Sequence, residues 1–194
     1  GRMLVCELHG YNLEGWLDVQ ELNKTGELDM KIHRYRITGR LMDEAKKRQV
    51  GKVKLLTDTD GDGRMDKATV WADDLPPCYG LVPARDGVIV ACAPDIVYLA
   101  DRDGDGKAEV RETLMTGFEV TLLERAINCP RWGLDNWIYV GAGGGGGMIT
   151  GPHLPKPFKL GHSDFRIKPD GSAIEWAVGS VGTFGLALNE IGDR

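Results

Sequence analysis

TDTDGDGRMDK, residues 57–67, places four aspartates and two glycines between Asp58 and Asp66, and ADRDGDGKAEV, residues 100–110, repeats the arrangement. Asp58, Asp60, Asp62 and Asp66 recur as Asp101, Asp103, Asp105 and Glu109, each 43 residues further on. The flanks recur with them: VKLL (53–56) aligns with IVYL (96–99), and TVWA (69–72) with ETLM (112–115). A third piece recurs ahead of the acidic turns, as GRMLVC (1–6), DGVIVA (86–91) and DNWIYV (135–140). Each is a short run of β-branched, aromatic or aliphatic residues opened by a turn residue, which is the mark of a buried strand. A period of roughly 40–50 residues with about four short strands per unit predicts a β-propeller, one unit per blade.

The chain then divides into about three blades. GRMLVCE, GKVKLL and KATVWA are three strands of the first. CYGLVPA, GVIVACA, DIVYLA and VRETLM form the second. CPRWGL, NWIYVGA, DFRIKP and AIEWAV form the third, and TFGLALNEIGD (183–193) is expected to open a fourth. A closed propeller has roughly four to eight blades, and the first residues read as the interior of a strand. Residues 1–194 are therefore expected to be an all-β, partial propeller domain, a piece of something longer. Residues 10–50 interrupt blade one, and TGRLMDEAKKRQVG within them has the composition of a short helix. Residues 141–163, glycine-rich and then proline-rich, are expected to be a long loop.

Composition excludes several functions. The 194 residues carry a formal charge of −5, which disfavours nucleic acid as a partner. No segment approaches the ~18 apolar residues that a membrane span requires. The four cysteines (Cys6, Cys78, Cys92, Cys129) form no C-x-x-C, so zinc ribbons and thioredoxin-type chemistry are unsupported. Cys6 and Cys92 read as buried small hydrophobes. Cys78 and Cys129 each precede an apolar run, and a disulfide between them is conceivable if those runs are equivalent strands of neighbouring blades.

Carboxylates at positions one, three and five of a loop, with glycine at the sixth, converge on a hard cation, and the seventh residue offers its carbonyl. The expected ligand set is Asp58, Asp60, Asp62, the Arg64 carbonyl and Asp66 in the first turn. In the second it is Asp101, Asp103, Asp105, the Lys107 carbonyl and Glu109, with Glu112 at the twelfth position completing the calcium-loop pattern. The first turn has Thr69 at twelve, which makes Asp66 its closing candidate. The alternative is that D-G-D-G makes tight hairpins and nothing more. Against it stands the cost of crowding three carboxylates without a counter-ion.

LLTDTDGDGRMDKATVWADDLP, GVIVACAPDIVYLADRDGDGKAEV, RWGLDNWIYV and FGLALNEIGD resemble the membrane-bound dehydrogenases of planctomycetes and verrucomicrobia. These are six-bladed propellers similar to the soluble glucose and sorbosone dehydrogenases. The resemblance covers residues 1–9 and 51–194. It implies a periplasmic, cell-surface or secreted location, calcium, pyrroloquinoline quinone as cofactor, a sugar or alcohol substrate and a cytochrome-type haem partner. The base histidine of those dehydrogenases precedes the segment matching RWGLDNWIY, whereas LLERAINCP here contains none.

The remaining polar candidates for catalysis are Arg125, Asn128 and Arg131, His153 and His162, and His9; of these Arg131 is the candidate holder of an anionic quinone or sugar acid, and His162, with Asp164 as its orienter, the candidate base. Trp132 and Trp137 read as strand and core residues. A non-catalytic calcium-stabilised scaffold or binding module is the alternative function. A lactonase-like hydrolase, with only Asn128 and Asn189 near suitable positions, is the second alternative.

Overall fold

The computed structural model describes residues 1–7, 24, 51–120, 126–177 and 184–192. Their strands pair antiparallel throughout. The first sheet has the order β1 (Arg2–Glu7), β2 (Gly51–Thr57), β3 (Lys67–Leu75). The second contains β4 (Leu81–Ala84), β5 (Gly87–Cys92), β6 (Asp95–Ala100) and β7 (Val110–Phe118) as an up-and-down meander. The third comprises β8 (Asn128–Trp132), β9 (Ile138–Gly141), β12 (Phe165–Ile167) and β13 (Ile174–Trp176), again in chain order. Each sheet coincides with one of the three units read from the sequence.

The middle sheet explains its own sequence. GVIVAC and DIVYLA are nearly continuous apolar runs because both faces of β5 and β6 are covered. Ile89, Ala91, Ile96 and Tyr98 face a core shared with Ile138, Val140, Phe165 and Ile167 of the third sheet. Val88, Val90, Cys92, Val97 and Leu99 face the opposite way, into a core with Val53, Leu55, Trp71 and Leu75 of the first. The alternation follows from the two-residue period of a strand. In β2, by contrast, only Val53 and Leu55 face the core while Lys52 and Lys54 do not, and Lys54 pairs instead with Glu7 at 2.5 Å. The three sheets therefore stack in chain order.

Two expectations are corrected. Residues 141–163 are not one long loop: β10 (Gly147–Thr150) and β11 (Phe158–Leu160) lie within them and extend the second sheet beyond β7. Glycine makes this pairing feasible. A Cβ on Gly117 (φ +100) would lie 2.3 Å from the Met148 carbonyl oxygen, and one on Gly147 would lie 2.1 Å from that of Gly117. Ile149 and Leu160 then bury their side chains in the shared core. Residues 184–192 form no strand. They end in a turn, closed where Gly192 N–H donates to the Asn189 carbonyl and Ile191 N–H to Asn189 Oδ1, each at 3.1 Å. Apart from Lys24, the 10–50 insertion with its expected helix lies outside the described residues. Among the described residues, no helix is long and apolar enough to cross a membrane.

Candidate metal centres

The first acidic turn joins β2 to β3 and the second joins β6 to β7. Their glycines take matching left-handed conformations, with φ of 80 and 89° at Gly61 and Gly63 and 78 and 90° at Gly104 and Gly106. A side chain would resist these angles, which is why glycine holds both positions. The hydrogen bonds match as well. Asp58 accepts from Gly61 N–H (2.7 Å) and Gly63 N–H (3.0 Å); Asp101 accepts from Gly104 (2.8 Å) and Gly106 (3.1 Å). Asp60 accepts from Asp62 N–H and Asp62 from Arg64 N–H, at 3.2 and 2.8 Å. Asp103 and Asp105 accept from Asp105 and Lys107, at 3.0 and 2.8 Å. At the ninth position, Asp66 accepts from Thr59 N–H (3.1 Å) and Glu109 from Arg102 N–H (2.9 Å).

Each bond at the third and fifth positions engages one carboxylate oxygen and leaves the other, together with spare lone pairs, for another ligand. In the first turn, one oxygen each from Asp58, Asp60 and Asp62 lie within 4.8 Å of one another; in the second, Asp101, Asp103 and Glu109 do so. These acidic clusters could hold a metal ion. The Gly61 N–H bond, foremost, holds the Asp58 carboxyl below its usual range, and the Thr59 hydroxyl does the same for Asp66.

Asp66 is not part of the first cluster and Asp105 is not part of the second, and neither is Glu112. Glu112 lies on β7 opposite Tyr98, where its carboxylate is 2.6 Å from His153 Nε2 and 3.4 Å from Arg85 Nη1. The His153 contact, above all, keeps its carboxyl below the usual range. The ninth residue, Glu109, is therefore the one that joins Asp101 and Asp103 in the second cluster, whereas Asp66 at the ninth position of the first turn accepts from Thr59. Glu109→Gln should accordingly weaken divalent-cation binding at least tenfold, while Glu112→Gln leaves it unchanged, as read by calorimetric titration of each variant.

The second turn also touches the first sheet, which the sequence did not signal. Arg2 Nη2 of β1 stands 4.0 Å from Asp101, whose side chain is only 8% exposed. Ala108 N–H donates to the Trp71 carbonyl of β3 at 2.7 Å, and Arg111 Nη1 donates to that of Asp73 at 2.7 Å. Nearby, Asp86 accepts from Tyr98 O–H and, at 2.8 Å, from Arg102 Nε, which together hold its carboxyl at about 2. Arg2, Arg85, Asp86 and Asp101 rim a cleft of about 700 Å³ between the two sheets, floored by Leu4, Leu55 and Trp71 among others.

The catalytic candidates are dispersed, and His9 and Arg125 lie outside the described residues. Arg131 is exposed on β8, and His162 Nδ1 lies 3.0 Å from the Gly144 carbonyl. Asp164 does not orient His162: it is buried and accepts from Ala142 N–H at 3.0 Å. The cleft and the smaller cavities beside Cys78 and beside Gly106 are lined by neither Arg131 nor His162. Trp132 donates from Nε1 to the Pro83 carbonyl at 2.6 Å. Trp137 is half-buried rather than core, with Arg166 and Lys168 cations 4.7 and 4.2 Å from its ring centre. Asn128 is buried and donates from Nδ2 to the Ala126 carbonyl at 3.0 Å, while Asn189 lies in the exposed turn after residue 184.

A family model described as "Domain of unknown function (DUF7133)" matches residues 1–194. The chain belongs to the DUF7133 family. None of the curated proteins and none of the solved structures matches it. Both acidic turns and all three sheets fall within the span of the DUF7133 match.

Proposed function

We propose that this DUF7133 chain is a calcium-stabilised β-propeller module that acts as a binding or assembly scaffold in a calcium-rich, extracytoplasmic compartment. The observation that carries it is the matched set of turn hydrogen bonds, repeated 43 residues apart in two successive sheets. Oxygen-only donors on an irregular turn between two strands suit calcium better than magnesium, which demands a near-ideal octahedron. The propeller reading is supported by three antiparallel units stacked face to face in chain order. The leading strands of the second and third units are neighbours, Cys129 N–H donating to the Tyr79 carbonyl at 3.4 Å.

Calorimetric titration of the chelator-stripped protein tests this reading. Calcium should bind at two sites, magnesium more weakly, and pyrroloquinoline quinone added afterwards should give no heat. Absence of calcium uptake would end the proposal, and tight quinone binding would replace the scaffold with a dehydrogenase.

A further inference from the structure

Cys78 and Cys92 come from segments that pair with a defect. Between β4 and β5 the register runs regularly from Ala84↔Gly87 to Leu81↔Val90. Beyond it, Ala91 N–H donates to the Gly80 carbonyl at 2.9 Å, but Tyr79 N–H, not Gly80 N–H, returns the bond to the Ala91 carbonyl, at 2.8 Å. Two residues thus oppose one, which is a β-bulge. Gly80 accommodates it with φ +149, and a Cβ there would meet Pro130 Cδ at 2.8 Å. The extra residue shifts the pairing by one, so the next opposed pair is Cys78 and Cys92. It follows a hydrogen-bonded position and is therefore a non-hydrogen-bonded pair, in which Cα atoms of antiparallel strands lie about 4.5 Å apart. That separation lies inside the range of about 4.4–6.8 Å that disulfides span.

The side chains agree with this register. Both thiols lie in the core shared with the first sheet, Cys78 2% and Cys92 0% exposed. They lie within reach of the Pro76 and Val90 carbonyls, at 3.3 and 3.7 Å. The Cys78 sulfur is packed over Gly51, where a Cβ would come within 2.9 Å of it. The hydrogen bond to Cys78, followed by burial, pushes the Cys92 thiol up. Burial, with Cys78 close by, pushes Cys6 up to about 12. In the folded, reduced protein both sulfurs are shielded from solvent, so a bond between Cys78 and Cys92 must form before the first sheet closes over them.

We infer that Cys78 and Cys92 form a cross-strand disulfide, made during folding by exchange with a disulfide-bearing oxidant such as oxidised glutathione. Two S–H bonds break and one S–S bond forms. Two electrons and two protons pass to the oxidant, which leaves as two thiols. Cys129, which shares a cavity of about 350 Å³ with Cys6 and Cys78, stays a thiol, as does Cys6. The bond would tie the lead-in of β4 to the end of β5, where the bulge has removed a ladder hydrogen bond.

The test is to refold the full chain in a glutathione redox buffer, quench in acid, alkylate under denaturing conditions and map linked peptides. The expected result is loss of two of the four thiols and a single linkage, Cys78 to Cys92. The Cys6→Ala/Cys129→Ala variant should lose both of its thiols under the same conditions, and Cys92→Ser should yield no linkage. Four alkylated cysteines after refolding in excess oxidised glutathione would overturn the inference. So would a bond from Cys78 to Cys6 or to Cys129.

Discussion

Replacing Asp103 and Asp105 together by asparagine should lower the stability of the calcium-loaded protein by about 2.7 kcal/mol when calcium stands at ~100 times its dissociation constant. In excess chelator the same variant should be no less stable than the parent, and slightly more so. The sign reversal follows from the turn's construction. Asparagine keeps the side-chain carbonyl that accepts from Asp105 N–H and Lys107 N–H, so the backbone of the turn is preserved. What disappears is charge: one carboxylate of the cluster and a second beside it when calcium is present, and repulsion among crowded carboxylates when it is not.

The consequence should reach beyond the turn, because Ala108 and Arg111 hold the Trp71 and Asp73 carbonyls of β3. Hydrogen exchange at residues 71–75 should therefore quicken when calcium is removed. Urea unfolding of both proteins, with and without chelator, decides the matter. Equal losses in the two conditions would mean that the carboxylates serve the hairpin alone.

Most of the sheet structure was legible because its signals are local. A two-residue period marks β2, a continuous apolar run marks the doubly covered β5 and β6, and turn residues punctuate them. The third unit closes on a P-D-G-S reversal (169–172), with Gly171 N–H donating to the Lys168 carbonyl and Ser172 N–H and O–H donating to Asp170 Oδ1. The missed strands β10 and β11 have a clear cause: their partner is distant in sequence. The residues of β10 and β11 look like loop until Gly117, some thirty residues before β10, lets two backbones approach. The Cys78–Cys92 register depends on a bulge that no composition announces.

Glu112 failed for a geometric reason. The twelve-residue calcium pattern presumes that a helix follows, which coils residue twelve back over the loop. Here a strand begins at Val110 and carries successive residues away at about 3.3 Å each. Glu112 is thus delivered to Arg85 and His153, and residue nine, the last before the strand, is the one left beside the loop.

Phe165→Ala should cost about 3–5 kcal/mol, the range for removing a fully buried phenylalanine. Phe165 is fully buried on β12, and its ring stacks on Phe118 from the end of β7, with centroids 5.1 Å apart and planes inclined at 21°. The pair joins the second sheet to the third. Truncation removes the buried ring and leaves a cavity whose walls are backbone-anchored strands, which relax poorly; it also forfeits the ring–ring contact, worth about 0.5–1.5 kcal/mol.

A domain stable by roughly 5–15 kcal/mol would lose a third or more of its margin at the lower values. Trp176 supplies the control. It meets Phe158 at the same 5.1 Å but is 62% exposed, so Trp176→Ala creates no closed cavity and should cost about 1 kcal/mol or less. Urea midpoints at constant slope measure both. If Phe165→Ala proved as mild as Trp176→Ala, the second and third sheets would not share a core, and the stacking of units on which the propeller reading rests would fall with it.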